Sequence, residues 1–259
     1  MMAGTLLLLR DAGWQIHYMN LSSGNLGSLT LPSARIARVR RREAQNAAKV
    51  MGALWHPPIC QDLEVFYDSR TLRRLASIVR TVDASIVLTH SPQDYMEDHM
   101  NTARLTVTAL FARGVPNYRT TPPRAPVETG VTIYHASPHG LRDGLRRQVV
   151  PGAFVNTTTV QDRKREALAC HASQQPFLDA TQGFSYLDLM DEFSRTLGTM
   201  SGTYQHAEGW RRHLHLGFCD ERADPLRDAL GEKYLVNGAY ERGLELPSPT
   251  ANREPPTSI

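Results

Sequence analysis

The sequence predicts an α/β fold: a doubly wound, Rossmann-like, mostly parallel sheet with a helical C-terminal region. Three observations predict it. Stretches of helical periodicity alternate with short apolar strands through the first 156 residues. Residues 84–89 (ASIVLT) are nearly all apolar, which suits a parallel strand covered on both faces. Beyond residue 159 the apolar spacing settles at three and four, the signature of helices.

Taken in order, residues 2–12 read as a helix that Gly13 stops by accepting the left-handed conformation. Residues 15–21 (QIHYMNL) read as a strand, followed by a loop over 22–28. A helix is expected at 34–53, and Pro57-Pro58 then break the chain before a short segment near Ile59. A helix at 71–81 precedes the strand at 84–89, and a polar loop over 90–99 leads into a helix at 101–113. Strands are expected at 130–136 and 149–156. Thr159 with Asp162 forms a capping-box pattern for a helix running to 175. Leu187, Met190, Phe193, Leu197, Met200, Tyr204, Ala207, Trp210 and Leu214 then form one apolar stripe, read as a single long buried helix. Residues 1–245 are expected to form one domain, and the Pro/Ser/Thr-rich 246–259 a disordered tail. The opening is unusual. Doubly wound domains begin with a central strand, whereas this sequence begins inside a helix with no capping residue before it. A preceding strand is therefore expected, and without one its neighbours would present unpaired edges.

Composition narrows the function. The chain is 41% hydrophobic and 21% charged, with net charge +3, which is too small an excess to argue for nucleic acid. Arg38, Arg41 and Arg42 read as a solvated helix face. No stretch reaches a membrane span, and Arg10-Asp11 cut short the leucine run at the start, so it is not a secretion signal. Three cysteines without CxxC spacing argue against a disulfide framework and point to a reducing cytoplasm. Gly24-Asn25-Leu26-Gly27 follows a strand but makes no G-x-G-x-x-G, which argues against a dinucleotide site.

The chemistry concentrates in residues 89–99 (THSPQDYMEDH). This loop leaves the carboxyl end of the predicted parallel strand, where such sheets place their ligands. It holds His90, His99 and the carboxylates Asp94, Glu97 and Asp98, a set suited to metal binding or proton transfer. A hydrophilic loop ahead of a capped helix is the alternative. Arg40 and Glu43 fall on the apolar face of their helix with Ile36, Ala47, Val50 and Leu54, so they are expected to be paired or to line a crevice. His171 shares a predicted helix face with Lys164, Leu168 and Gln175, and a packing role is its simplest reading.

Ser91-Pro92-x-Asp94 followed by Asp98-His99, Arg40-x-x-Glu43, and the run Lys164, Leu168, His171, Ser173, Gln174 together resemble the PIG-L/LmbE zinc-dependent N-deacetylases. The resemblance implies a zinc cofactor and a small N-acetylated amino sugar or its conjugate as substrate. It implies His99 as a metal ligand and Asp98 as the orienter of a catalytic histidine. Arg40, Glu43 and Asp94 would support the substrate crevice. Met96 stands where the family has a histidine, and a thioether donates no proton, so His90 or His171 would act in its place. The family also has a His-Pro-Asp-Asp signature on its first strand, giving two further ligands and the base. That signature is not in this sequence, so the site is expected to be incomplete in this chain. The competing expectation is a pseudoenzyme or carbohydrate-binding protein that kept the fold; homo-oligomerisation stays open.

Overall fold

The computed structural model describes residues 1–183 and 185–245; the expected tail at 246–259 lies outside the described residues. The N-terminal half alternates as expected: α1 (Ala3–Asp11), β1 (Ile16–Met19), α2 (Ser33–Met51), β2 (Ala53–His56), α3 (Ser69–Val82), β3 (Ile86–Thr89) and α4 (Glu97–Phe111). Gly52 ends α2 and Asp83 ends α3, both in the left-handed region, and Asp68 caps α3 through the backbone N–H groups of Arg70 and Thr71. Strand β2 was not expected: after Gly52 the chain turns back and pairs Ala53–His56 with β1 in parallel. Helix α4 begins four residues earlier than predicted, which places Asp98 and His99 in its first turn.

The C-terminal half comprises β4 (Thr132–Ala136), β5 (Ala153–Asn156), α5 (Gln161–Ala169), α6 (Gln175–Gln182), α7 (Tyr186–Ser201), β6 (Ala207–Arg212), α8 (Pro225–Leu230), β7 (Tyr234–Val236) and α9 (Gly238–Glu245). Three expectations fail here. The long apolar stripe is not one helix, because Gly202 caps α7 in the left-handed region and the chain then enters β6. Ala207, Glu208, Gly209 and Trp210 are all buried, so β6 is covered on both faces and its alternation was masked. Thr159 does not cap α5, which starts at Gln161 after a short 3-10 turn with no side-chain cap. The helix stops at Ala169, so His171 lies in a turn and not on a helix face.

The class is α/β, but the strands divide into two sheets. One is the parallel pair β1–β2; the other runs β3-β4-β6-β5-β7. The expected mostly parallel pairing holds for β1–β2 and β3–β4, while β4–β6, β6–β5 and β5–β7 are antiparallel. Two of these pairs follow from β6, the strand hidden in the apolar stripe, which enters between β4 and β5 in the opposite direction, and the third from β7, which adds antiparallel to β5. Layers form on both faces. Leu7 and Leu8 of α1, Met51 of α2 and Ala167 of α5 pack with Tyr134, Val155 and Trp210 of the sheet. On the other face Leu110 of α4 packs with Ile133, and Leu197 of α7 with Phe154 and Ala207.

A buried ionic network joins the layers. Glu208 of β6 accepts from the backbone N–H groups of Gly4 and Thr5 at 3.0 and 2.8 Å, supplying from across the sheet the cap that α1 lacks locally. Its carboxylate also meets Lys164 Nζ at 2.9 Å, and Lys164 donates to Ser194 Oγ at 2.9 Å.

Candidate metal centre

Strand β3 delivers its C-terminal end, and the loop after it, to the crevice between the two sheets. His90 follows the last strand residue, Asp94 lies in the loop, and His99 stands in the first turn of α4. The Ser91 hydroxyl donates to Gln93 O at 2.7 Å and accepts from its N–H at 3.0 Å, which tightens the turn. Asp94 is buried, and its Oδ1 accepts from Met96 N–H at 3.2 Å and lies 3.0 Å from His99 Nδ1. The rings of His90 and His99 stack with centroids 4.4 Å apart and planes 13° from parallel. One ligand atom from each of His90, Asp94 and His99 can be chosen so that all lie within 4.8 Å of one another.

Electrostatics prepare the donors. Burial, aided by the neighbouring His99, pushes His90 down to about 3, so it is a neutral imidazole at ordinary pH, the form that binds a metal. Burial would raise Asp94, but its hydrogen bonds with His99 and Met96 N–H outweigh that, and it stays ionised below the usual carboxylate range. Two imidazoles and one carboxylate are a donor set that suits a catalytic zinc, which takes three protein ligands and keeps one position open. Ligands around a tetrahedral zinc stand about 3.3 Å apart, so small side-chain rotations would close the cluster. The residues fit the group.

The other candidates sort around this cluster. Asp98 is buried, and its Oδ2 accepts from Leu63 N–H at 2.7 Å. That bond ties the turn after β2 to the start of α4; it anchors a loop, whereas the resemblance implied the orienting of a histidine. Arg40 and Glu43 do not pair with each other at ion-pair distance. Arg40 Nη2 donates to Gly27 O at 2.7 Å, and Nη1 lies 3.9 Å from Asp62. Glu43 accepts from Ser173 N–H at 2.8 Å and from Ser173 Oγ at 2.7 Å. It thereby holds the turn that carries His171, whose imidazole is pushed down by burial against a smaller opposing pull from Glu43. Arg40, His171, Tyr95 and Met96 line the same crevice as His90 and His99.

Two features were not found from sequence. Asp62 accepts from Ser22 Oγ, Gly24 N–H and Leu26 N–H at 2.7, 3.0 and 3.2 Å, fixing the loop after β1 as a crevice wall. His135 of β4 lies opposite Thr89 and approaches His90 O at 2.8 Å through Nδ1. A carbonyl only accepts, so Nδ1 carries the proton, and Nε2 accepts from His213 Nδ1 at 3.0 Å. Burial pushes His135 down to about 4, consistent with this neutral tautomer. The signal available was the parallel neighbour: a strand at 130–136 beside 84–89 must place a side chain under the loop that leaves the latter.

Fold and cluster define an α/β protein with a candidate metal centre at the C-terminal ends of its parallel strands. Residues 1–110 match the family described as PIG-L: GlcNAc-PI de-N-acetylase. It is 29% identical over 180 residues to a 4-oxalmesaconate hydratase of Pseudomonas putida, covering 66% of this chain and 67% of that protein. It is 26% identical over 221 residues to a diacetylchitobiose deacetylase of Thermococcus kodakarensis, covering 81% and 76%. The structure of an N,N'-diacetylchitobiose deacetylase from Pyrococcus horikoshii shares the fold, with TM-score 0.70, 22% identity and coverage of 83% and 79%. The proteins this chain resembles thus include both a deacetylase and a hydratase.

Proposed function

We propose that this chain is a zinc-dependent hydrolase that removes the N-acetyl group of an amino sugar or its conjugate. The observation that carries the proposal is the His90–Asp94–His99 cluster at the strand ends, a three-donor set that reaches a ligand count His99 alone cannot. When bound, zinc would polarise the amide carbonyl and acidify a water. The chain's own residues supply the rest. His90 is held neutral by burial, aided by the neighbouring His99, and the His135 bond fixes its backbone carbonyl. Arg40, fixed by Gly27 O and Asp62, offers a cationic wall to sugar hydroxyls and to developing oxyanion charge. His171, held by the Glu43–Ser173 turn, is the crevice imidazole that can carry a proton to the departing nitrogen in place of Met96.

Met96 favours a second reading, hydration of an unsaturated acid, the reaction named for the Pseudomonas putida relative. Both reactions use an activated water. They part at the electrophile, because amide cleavage must protonate an amine leaving group whereas hydration releases nothing.

The deciding experiment measures metal content and turnover on one preparation. Elemental analysis of the purified chain is expected to give about one zinc per chain, lost in His99→Ala. Acetate release from N,N'-diacetylchitobiose is expected to exceed loss of 4-oxalmesaconate absorbance. The opposite ratio would replace the first reading with the second, and a metal-free, inactive chain would support the binding-protein alternative.

A further inference from the structure

Ring contacts continue outward from the metal cluster. His99 meets Tyr95 edge to face, with centroids 5.8 Å apart and planes at 86°. Tyr95 meets His139 at 5.8 Å and 46°, and His139 meets Phe193 at 5.1 Å and 90°. Unlike the stacked pair His90–His99, an edge-to-face or tilted pair leaves ring faces open to a ligand. Tyr95 is 57% exposed, His139 is exposed and Phe193 is half-buried. The three rings come from three places: the loop after β3, the 3-10 turn His139–Leu141 after β4, and helix α7. The turn is held under strain. Leu141 has φ +55°, a region side chains disfavour, and its side chain is buried with Phe154 and Leu197. The core thus anchors the turn from below while His139 stays at the surface.

The line of rings ends at another cavity, of about 190 Å³, which Phe193 lines together with Arg142, Gln148, Glu192 and Thr196. At about 30 Å³ per water that is the room of roughly six waters, or of one pyranose ring. One aromatic wall and four polar side chains suit a sugar. A pyranose carries C–H groups on its faces, which the negative face of an aromatic ring attracts. Its hydroxyls lie around the rim and need donors and acceptors, which these four side chains offer. Arg142 and Glu192 bring opposite charges, so the cavity favours a neutral polyhydroxylated ligand over a polyacid. A purely apolar ligand would desolvate the polar side chains and give them no partner.

We propose that Tyr95, His139 and Phe193 form a stacking track for an oligosaccharide. One sugar lies over the metal cluster, a second against Tyr95 and His139, and a third against Phe193 in the outer cavity. The substrate is then a chain of at least three N-acetylated amino sugars. At the cluster, water adds to the acetyl carbonyl, the C–N bond breaks, and acetate and a free amine result. That last step rests on the hydrolase reading; the binding of the chain along the track does not.

The test is titration calorimetry of the full chain, with chelator present so that nothing is turned over. The ligands are N-acetylglucosamine and its linear oligomers of two, three and four sugars. Affinity is expected to rise about three- to tenfold with the second sugar and again with the third, one aromatic contact each, and to level off at the fourth. Tyr95→Ala is expected to remove the first gain and Phe193→Leu the second. The leucine keeps apolar packing against Leu197 and Phe154 and removes the ring face. Phe193→Tyr is expected to retain the second gain. Equal affinity for all four ligands, no saccharide binding at all, or a second gain that survives Phe193→Leu would each overturn the proposal. Acetate release by the zinc-loaded chain, followed over the same ligands, separates the two readings. Length-dependent binding without acetate release leaves the track standing and removes the hydrolase reading. Acetate release with a KM indifferent to length does the reverse.

Discussion

At the scale of single residues, the sharpest consequence concerns Glu208. The residue is completely buried, and burial alone would raise its carboxyl, but Lys164, the α-amino group and Thr5 together hold it below the usual range. Four donors converge on it: Gly4 N–H, Thr5 N–H, Thr5 Oγ1 and Lys164 Nζ. Glu208→Gln leaves the Lys164 ammonium buried without its counter-charge and exchanges an acceptor for a donor facing α1. Breaking a buried pair at one partner typically costs about 3–5 kcal/mol. Urea unfolding of Glu208→Gln is expected to show a loss of that size, and a loss under about 1 kcal/mol would mean that water reaches the pair. Lys164→Met with Glu208→Leu removes both charges together and is expected to recover much of the loss.

The elements explain what could and could not be read in advance. Helix α2, β1, β3 and α3 were legible because each carries its own period or composition: 84–89 has the composition of a buried parallel strand, although the expected α2 ran through Gly52, which in fact ends it. Strand β6 was not legible, because Tyr204, Ala207 and Trp210 continue the three-and-four spacing of α7 and its alternation is lost when both faces are buried. The cluster was legible as a loop, since His90, Asp94 and His99 fall within ten residues, but their roles were not. Asp94 read as a crevice residue and His90 as a proton donor; only the fold brings them together with His99 as a group that could hold a metal. Arg40 and Glu43 read as paired or lining a crevice because helix periodicity places them together, whereas their partners come from loops with no period, Gly27 with Asp62 and Ser173. The loop after β1 makes this testable. Gly24 has φ +70°, and a Cβ there would meet Arg40 Cδ at 2.3 Å. Gly24→Ala therefore strains the backbone and displaces the guanidinium. We expect a stability loss of about 1 kcal/mol and a KM several-fold higher on the active substrate, with metal content unchanged. An unaltered KM would remove Arg40 from the crevice's binding role.

Over the whole molecule, the histidines make stability a function of pH. The chain has ten, and for eight of them, His17, His56, His90, His135, His139, His171, His206 and His213, burial is the largest cause holding the imidazole below its ordinary value. A histidine with a depressed folded pKa stays neutral in the native state while the unfolded chain takes up its proton near pH 6.5. Its contribution is therefore complete above pH 6.5 and is lost as pH falls toward the folded value. For His135, pushed down to about 4, the loss between pH 7 and 4.5 amounts to about 2–3 kcal/mol, at 1.36 kcal/mol per unit. His135→Gln keeps a donor toward His90 O and cannot titrate. Chemical denaturation of both proteins, with chelator present so that no metal competes for His90 and His99, should show the wild type losing that much more stability than the variant between the two pH values. The comparison rests on the difference in slope, so any stability the substitution itself removes cancels. Parallel slopes would mean that His135 is protonated in the native state, and the tautomer that fixes the His90 carbonyl would then be wrong.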